Sequence, residues 1–87
     1  MTFDQWIEAV DTQVRSRLGR EVRTEELSWD SAMWVGRAGT VVAALQDDEA
    51  TAKLSFDAGD SLSLGIAQTR PEVAAGTIVE RLGSRTA

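Results

Sequence analysis

The sequence predicts an α+β domain, a three-stranded antiparallel meander covered on one face by an N-terminal and a C-terminal helix (αβββα), and three observations carry that expectation. The stretch from Thr40 to Gln68 reads TVVAALQ, ATAKLSF and DSLSLGIAQ, strand-like runs separated by the acidic turns QDDE and DAGD. In the second run Ala52, Leu54 and Phe56 alternate with Thr51, Lys53 and Ser55, and in the third Leu62, Leu64 and Ile66 alternate with Ser61, Ser63 and Gly65. That period of two marks a half-buried sheet. The flanking segments instead carry apolar residues at three- and four-residue spacing, the helical signature. A chain of 87 residues has room for one domain, spanning 1–87.

The first helix begins with a capping box, in which the Thr2 side chain accepts from the Gln5 amide while Gln5 reaches back to Thr2. Asp4 places a negative charge at the positive end of the helix dipole. Phe3, Trp6, Ile7, Val10, Val14 and Leu18 form one stripe, Glu8, Asp11 and Arg15 stay outside it, and Gly19 ends the helix in the left-handed conformation. Residues 20–39 fit neither period cleanly. A short helical turn followed by loop is expected there, with Leu27, Met33 and Trp34 turned inward; the alternative is an extra strand over Ala32 to Val35, pairing at the edge of the meander. The last helix starts with Thr69 as cap, Pro71 in its first turn and Glu72 at the third position, and carries Ala75, Ile78, Val79 and Leu82 inward until Gly83. Ser84 to Ala87 are expected to fray. The resulting core comprises Phe3, Trp6, Val10, Val14, Leu54, Phe56, Leu62, Leu64, Ile78 and Leu82. The opposite sheet face carries Val42, Ala44, Thr51, Lys53, Ser55, Ser61 and Ser63, short side chains on a flat and nearly neutral surface.

Composition narrows the function classes. The chain has a hydrophobic fraction of 43% and a charged fraction of 26%, ordinary for a folded domain. It contains no long apolar run and no signal-like N-terminus, so a cytoplasmic location without membrane contact is the default expectation. Absence of Cys, His and Tyr removes disulfides, thiolate and imidazole metal ligands and common acid–base groups, so neither metal, cofactor nor enzymatic activity is expected. The net charge of -5 and a pI near 4.5 disfavour direct nucleic-acid binding and favour basic partners. Eight of the nine cations are Arg, and Ala, Val and Gly are abundant, a composition like that of high-GC bacteria and their phages.

No motif points to a specific chemistry. The order helix, three strands, helix is shared with the double-stranded RNA-binding fold, but that fold relies on cations at its last helix and in a loop. Here that helix starts TRPEVAAG and the turns are QDDE and DAGD. Asp57 with Asp60 fails as a calcium loop because the twelfth position is Gln68 rather than Glu. The run Asp47, Asp48, Glu49 lacks the alternation such a loop needs, so both clusters read as hairpin turns. Gly36 and Gly39 in VGRAGT lack the Lys-Ser/Thr ending of a phosphate loop.

The tryptophans and the acidic turn are the candidate protein-binding residues: Trp29, Trp34, Asp47, Asp48 and Glu49. Trp6 lies on the helical stripe and belongs to the core. Trp29 and Trp34 are each either a plug over the open end of the sheet or an exposed anchor for a partner. The openings TFDQWIEAVDTQV and TRPEVAAGTIVERL, with the length and acidity of the chain, resemble small accessory proteins of phages and mobile elements in high-GC bacteria, among them anti-CRISPR inhibitors. That resemblance implies a non-enzymatic inhibitor or adaptor that occupies the basic, nucleic-acid-binding surface of a protein partner, and assigns no site residues. The other expectation is a structural or assembly subunit that dimerises through its open sheet face.

Overall fold

The computed structural model describes residues 1–83, and among them the chain forms two α-helices flanking five strands. Helix α1 (Phe3–Leu18) begins with the capping box of Thr2 and Gln5 and ends at Gly19, whose φ of 56° suits a residue without Cβ. A 3-10 turn (Gly19–Glu21) leads into β1 (Arg23–Ser28), followed by β2 (Ser31–Val35), β3 (Thr40–Leu45), β4 (Thr51–Phe56), β5 (Ser61–Gly65) and α2 (Pro71–Gly83). The strands form one antiparallel sheet in the order β1-β2-β3-β4-β5, so every strand pairs with its sequence neighbour.

One face of this sheet is buried under the helices. Ala32 and Trp34 from β2, Val41 and Ala43 from β3, and Ala52, Leu54 and Phe56 from β4 meet Phe3, Trp6, Val10 and Val14 from α1 and Ala74, Ala75, Ile78 and Leu82 from α2. Fully burying a large aliphatic or aromatic side chain contributes about 1.5–3 kcal/mol, and Trp6, Trp34, Leu54, Ile78 and Leu82 are all sealed from solvent. Polar atoms in this layer have partners. The Trp6 indole N–H donates to the Thr69 carbonyl at 3.0 Å, tying the start of α1 to the approach to α2. At the other end of the helices, a Cβ built on Gly83 would lie 2.7 Å from Leu18 Cδ2. The two helices therefore lie side by side and run in the same direction.

The β2–β3 turn closes against α2. The Ala38 amide donates to the Leu82 carbonyl at 2.8 Å, and a Cβ on Gly36 would meet Leu82 Cβ and its carbonyl oxygen at 2.7 Å, so only glycine permits this approach.

The expected three-stranded meander is corrected to five strands. The charged segment expected to be a helical turn and loop is β1, and the strand weighed for Ala32 to Val35 exists one residue longer as β2, placed between β1 and β3 rather than at the edge. β1 escapes a pattern search because it contributes no buried residue: Thr24 and Glu26, opposite Trp34 and Ala32, occupy its inner face. Met33, expected inward, lies on the open face beside Val42, and Leu27 sits at a bulge, 51% exposed. Leu62, expected in the core, is 40% exposed and Leu64 is half-buried, because β5 is the far edge of the sheet. Arg70, not Thr69, immediately precedes α2, and its carbonyl accepts from the Val73 and Ala74 amides. The expectation for Ser84 to Ala87 falls outside the described residues.

Candidate functional site

In a meander, successive turns alternate between the two ends of the sheet, so the β1–β2 and β3–β4 turns share one end and the β2–β3 and β4–β5 turns share the other. The start of α1 belongs to the first end, because Thr2, Phe3 and Asp4 line a small recess together with Trp29 and Leu45. The Leu45 amide also donates to the Asp30 carbonyl at 2.8 Å, which fixes the β1–β2 turn against β3. Trp29, Asp47, Asp48 and Glu49, remote in sequence, are thus gathered at one end.

Within the β3–β4 turn the acidic residues divide by role. Asp48 is the turn's internal clamp: its carboxylate accepts from the Ala50 amide at 2.9 Å, the Thr51 amide at 3.0 Å and the Thr51 hydroxyl at 2.7 Å. The Ala50 amide, followed by the Thr51 hydroxyl, holds that carboxyl below the usual aspartate range. Asp47 and Glu49 are exposed, and Glu49 has a φ of 56°, the left-handed region that normally selects Gly or Asn. The β4–β5 turn is built alike, with an amide-to-carbonyl bond from Gly59 to Phe56 matching that from Glu49 to Gln46, and there the left-handed position is a glycine. A carboxylate-bearing residue thus occupies a position where the backbone favours glycine.

The two uncertain tryptophans take opposite roles. Trp29 stands at the tip of the two-residue β1–β2 turn and is 71% exposed. Trp34 is fully buried, which removes it from the candidate binding surface; its indole N–H donates to Asp11 Oδ1 at 2.8 Å. Asp11, expected outside the stripe, is half-buried and also accepts from the Thr24 hydroxyl at 2.8 Å and from Arg15 Nε at 3.2 Å. This carboxylate satisfies the one polar atom of a buried indole and fastens α1 to β1 and β2.

Beside Trp29, a groove of about 390 Å³ runs between α1 and the β1–β2 hairpin, with Phe3, Ile7 and Ala32 among its apolar walls and Asp4, Glu8, Asp11 and Glu26 among its polar ones. No Lys or Arg lines it among the described residues. The sequence alone does not reveal this constellation: the helix dipole accounts for Asp4, Glu8 lies outside the apolar stripe, and Glu26 has no place without β1. The i, i+4 spacing of Asp4 and Glu8 was the available signal. Among the described residues no three Asp or Glu side chains are arranged to hold a metal ion.

The uncovered face of the sheet is more apolar than expected, since β2 adds Met33 and Val35 beside Val42 and Ala44. Asp57 and Asp60, the second acidic cluster, are structural: Asp57 accepts from the Thr40 amide at 2.9 Å, and Asp60 pairs with Arg81, whose guanidinium also lies 4.1 Å from the centre of the Phe56 ring. That pairing holds the Asp60 carboxyl low and raises Arg81. Among the described residues no helix is long and apolar enough to cross a membrane. No protein-family model matches the chain, and neither a curated protein nor a solved structure matches it.

Proposed function

We propose that the protein is a non-enzymatic binding module, an inhibitor or adaptor acting in the cytoplasm, which presents the end bearing Trp29, Asp47 and Glu49 to the basic surface of a protein partner. The observation that carries this reading is the placement of an exposed indole and an acidic turn on the same end of the sheet. Exposed carboxylates accelerate encounter with a cationic surface, whereas an aromatic side chain that becomes buried on binding slows release. With a net charge of -5 the chain competes for a basic surface rather than joining nucleic acid upon it. The resemblance to small phage-encoded inhibitors supplies the class of partner, a protein whose basic surface serves nucleic acid.

The test is to capture a partner and measure both rate constants at two salt concentrations for Asp47→Ser/Glu49→Ser and for Trp29→Ala, after circular dichroism has established that each is folded. Asp48 is left in place because it clamps the turn. The acidic variant is expected to associate more slowly with a flatter salt dependence, and Trp29→Ala to dissociate faster. Association that is unchanged at low salt for the acidic variant overturns the proposal.

The apolar strip of Met33, Val35, Val42 and Ala44 favours a second reading, a subunit that dimerises through its uncovered sheet face. Sedimentation equilibrium decides it: a dimer dispersed by Val42→Lys supports this reading, and a monomer at high concentration removes it.

A further inference from the structure

We propose that the groove between α1 and the β1–β2 hairpin is a receptor for an arginine side chain presented by a basic protein partner. This inference rests on the reading of the chain as a module for basic partners and assigns the contact to residues outside the acidic β3–β4 turn.

Three features of the groove favour that occupant. Asp4 and Glu8 lie one helical turn apart on α1, and Glu26 faces the same space from β1. None of the three side-chain carboxylates makes a hydrogen bond or ion pair within the described residues, and Arg15, one turn beyond the groove on α1, is already engaged by Asp11 at 3.2 Å. Like charges at i, i+4 weaken a helix, a cost that an incoming cation relieves. An inward-facing charge on an edge strand also deters strand pairing, which explains Glu26, and the helix dipole explains Asp4, but neither accounts for Glu8.

The walls and mouth distinguish arginine from a small cation. Phe3 and Ile7 offer apolar surface to the methylene stem of a long basic side chain, as such stems require. Trp29, 71% exposed at the groove, offers the indole face on which a guanidinium stacks. A planar guanidinium has donors enough to span two separated carboxylates at once, which a lysine ammonium cannot match.

The experiment is a titration of the isotopically labelled full chain, at physiological salt, with a short peptide of alternating Arg and Gly, its Lys counterpart and its neutral citrulline counterpart. Saturable shifts are expected at the Trp29 indole N–H and the amides of Asp4, Glu8 and Glu26 with the Arg peptide, weaker binding with Lys, and none with citrulline. Glu8→Gln/Glu26→Gln should weaken the Arg peptide about fivefold and Trp29→Ala about threefold, with the remaining spectrum unchanged. Asp47→Ser/Glu49→Ser should leave this affinity within about twofold, because separated exposed charges are screened at that salt. The inference is overturned if no saturable shift occurs up to millimolar peptide, if citrulline binds equally, or if the shifts map to the β3–β4 turn. It is equally overturned if groove signals move on concentrating the protein alone, which would make a second copy the occupant. The acidic-turn reading is scored separately, by the rates of its own variant on the captured partner, so either can fail while the other stands.

Discussion

Glu49 shows at the scale of one residue what the acidic end costs the fold. Its left-handed backbone costs a residue with a Cβ about 1 kcal/mol or more, and Gly59 avoids that cost in the sister turn. Glu49→Gly is therefore expected to stabilise the protein by about 0.5–1 kcal/mol in urea unfolding while slowing association with a basic partner. Asp48 makes the turn sensitive to acid. Its folded carboxyl is held low, so the stabilisation it provides is complete above the ordinary aspartate range and is lost as pH falls through the folded value. Asp48→Asn should accordingly show a shallower loss of stability in acid than the unsubstituted chain, read from urea midpoints across that range. Asp11 acts on the core: Asp11→Ala strands the buried Trp34 N–H without its acceptor, and should cost about 1–3 kcal/mol in the same measurement.

At the scale of elements, stability follows position in the sheet. Leu54 lies on β4 within the core that both helices share and is fully buried, whereas Leu62 lies on the edge strand β5 and is 40% exposed. Leu54→Ala is expected to cost about 2–5 kcal/mol and Leu62→Ala about 1 kcal/mol or less, measured by denaturant unfolding. The same distinction explains what the sequence made legible. Both helices, β3, β4 and β5 announced themselves, the helices through stripes and end signals and β4 and β5 through strict alternation. β1 did not, because a strand whose inner face is Thr24 and Glu26 has no apolar rhythm to detect; its inner partners are the Asp11 carboxylate and a groove rather than a packed layer. β2 was blurred by Met33 and Val35, apolar residues on the outer face that erase the contrast with Ala32 and Trp34. With β1 unseen, Glu26 could not be set opposite Asp4 and Glu8, and the groove was invisible for the same reason. Trp29 and the acidic turn were legible as residues, but their meeting at one end depends on the number of strands between them: two strands, β2 and β3, separate the two turns, and that count required β2.

For the whole molecule, the charge distribution follows the topology. Arg15 and Arg17 near the end of α1, Arg20, Arg23, Arg37 and Arg81 lie toward the end where the helices finish, opposite the end that holds Trp29 and the β3–β4 turn. Six of the nine Lys and Arg residues are thereby kept away from the proposed contact. The pairing of each strand only with its sequence neighbour also governs how the chain folds. Four successive hairpins can close through short loops, but α1 and α2 come from opposite ends of the chain and meet only after a closure that spans nearly all of it. The sheet is thus expected to assemble before the helices dock, with β3 structured in the transition state and the seam between α1 and α2 formed afterwards. Stopped-flow fluorescence resolves this order: Val41→Ala should chiefly slow refolding, and Val14→Ala should chiefly accelerate unfolding. A protein built this way owes its lifetime in the folded state to the clasp between its two ends, so changes along the α1–α2 seam would alter how long it stays folded while leaving nearly untouched how fast it gets there.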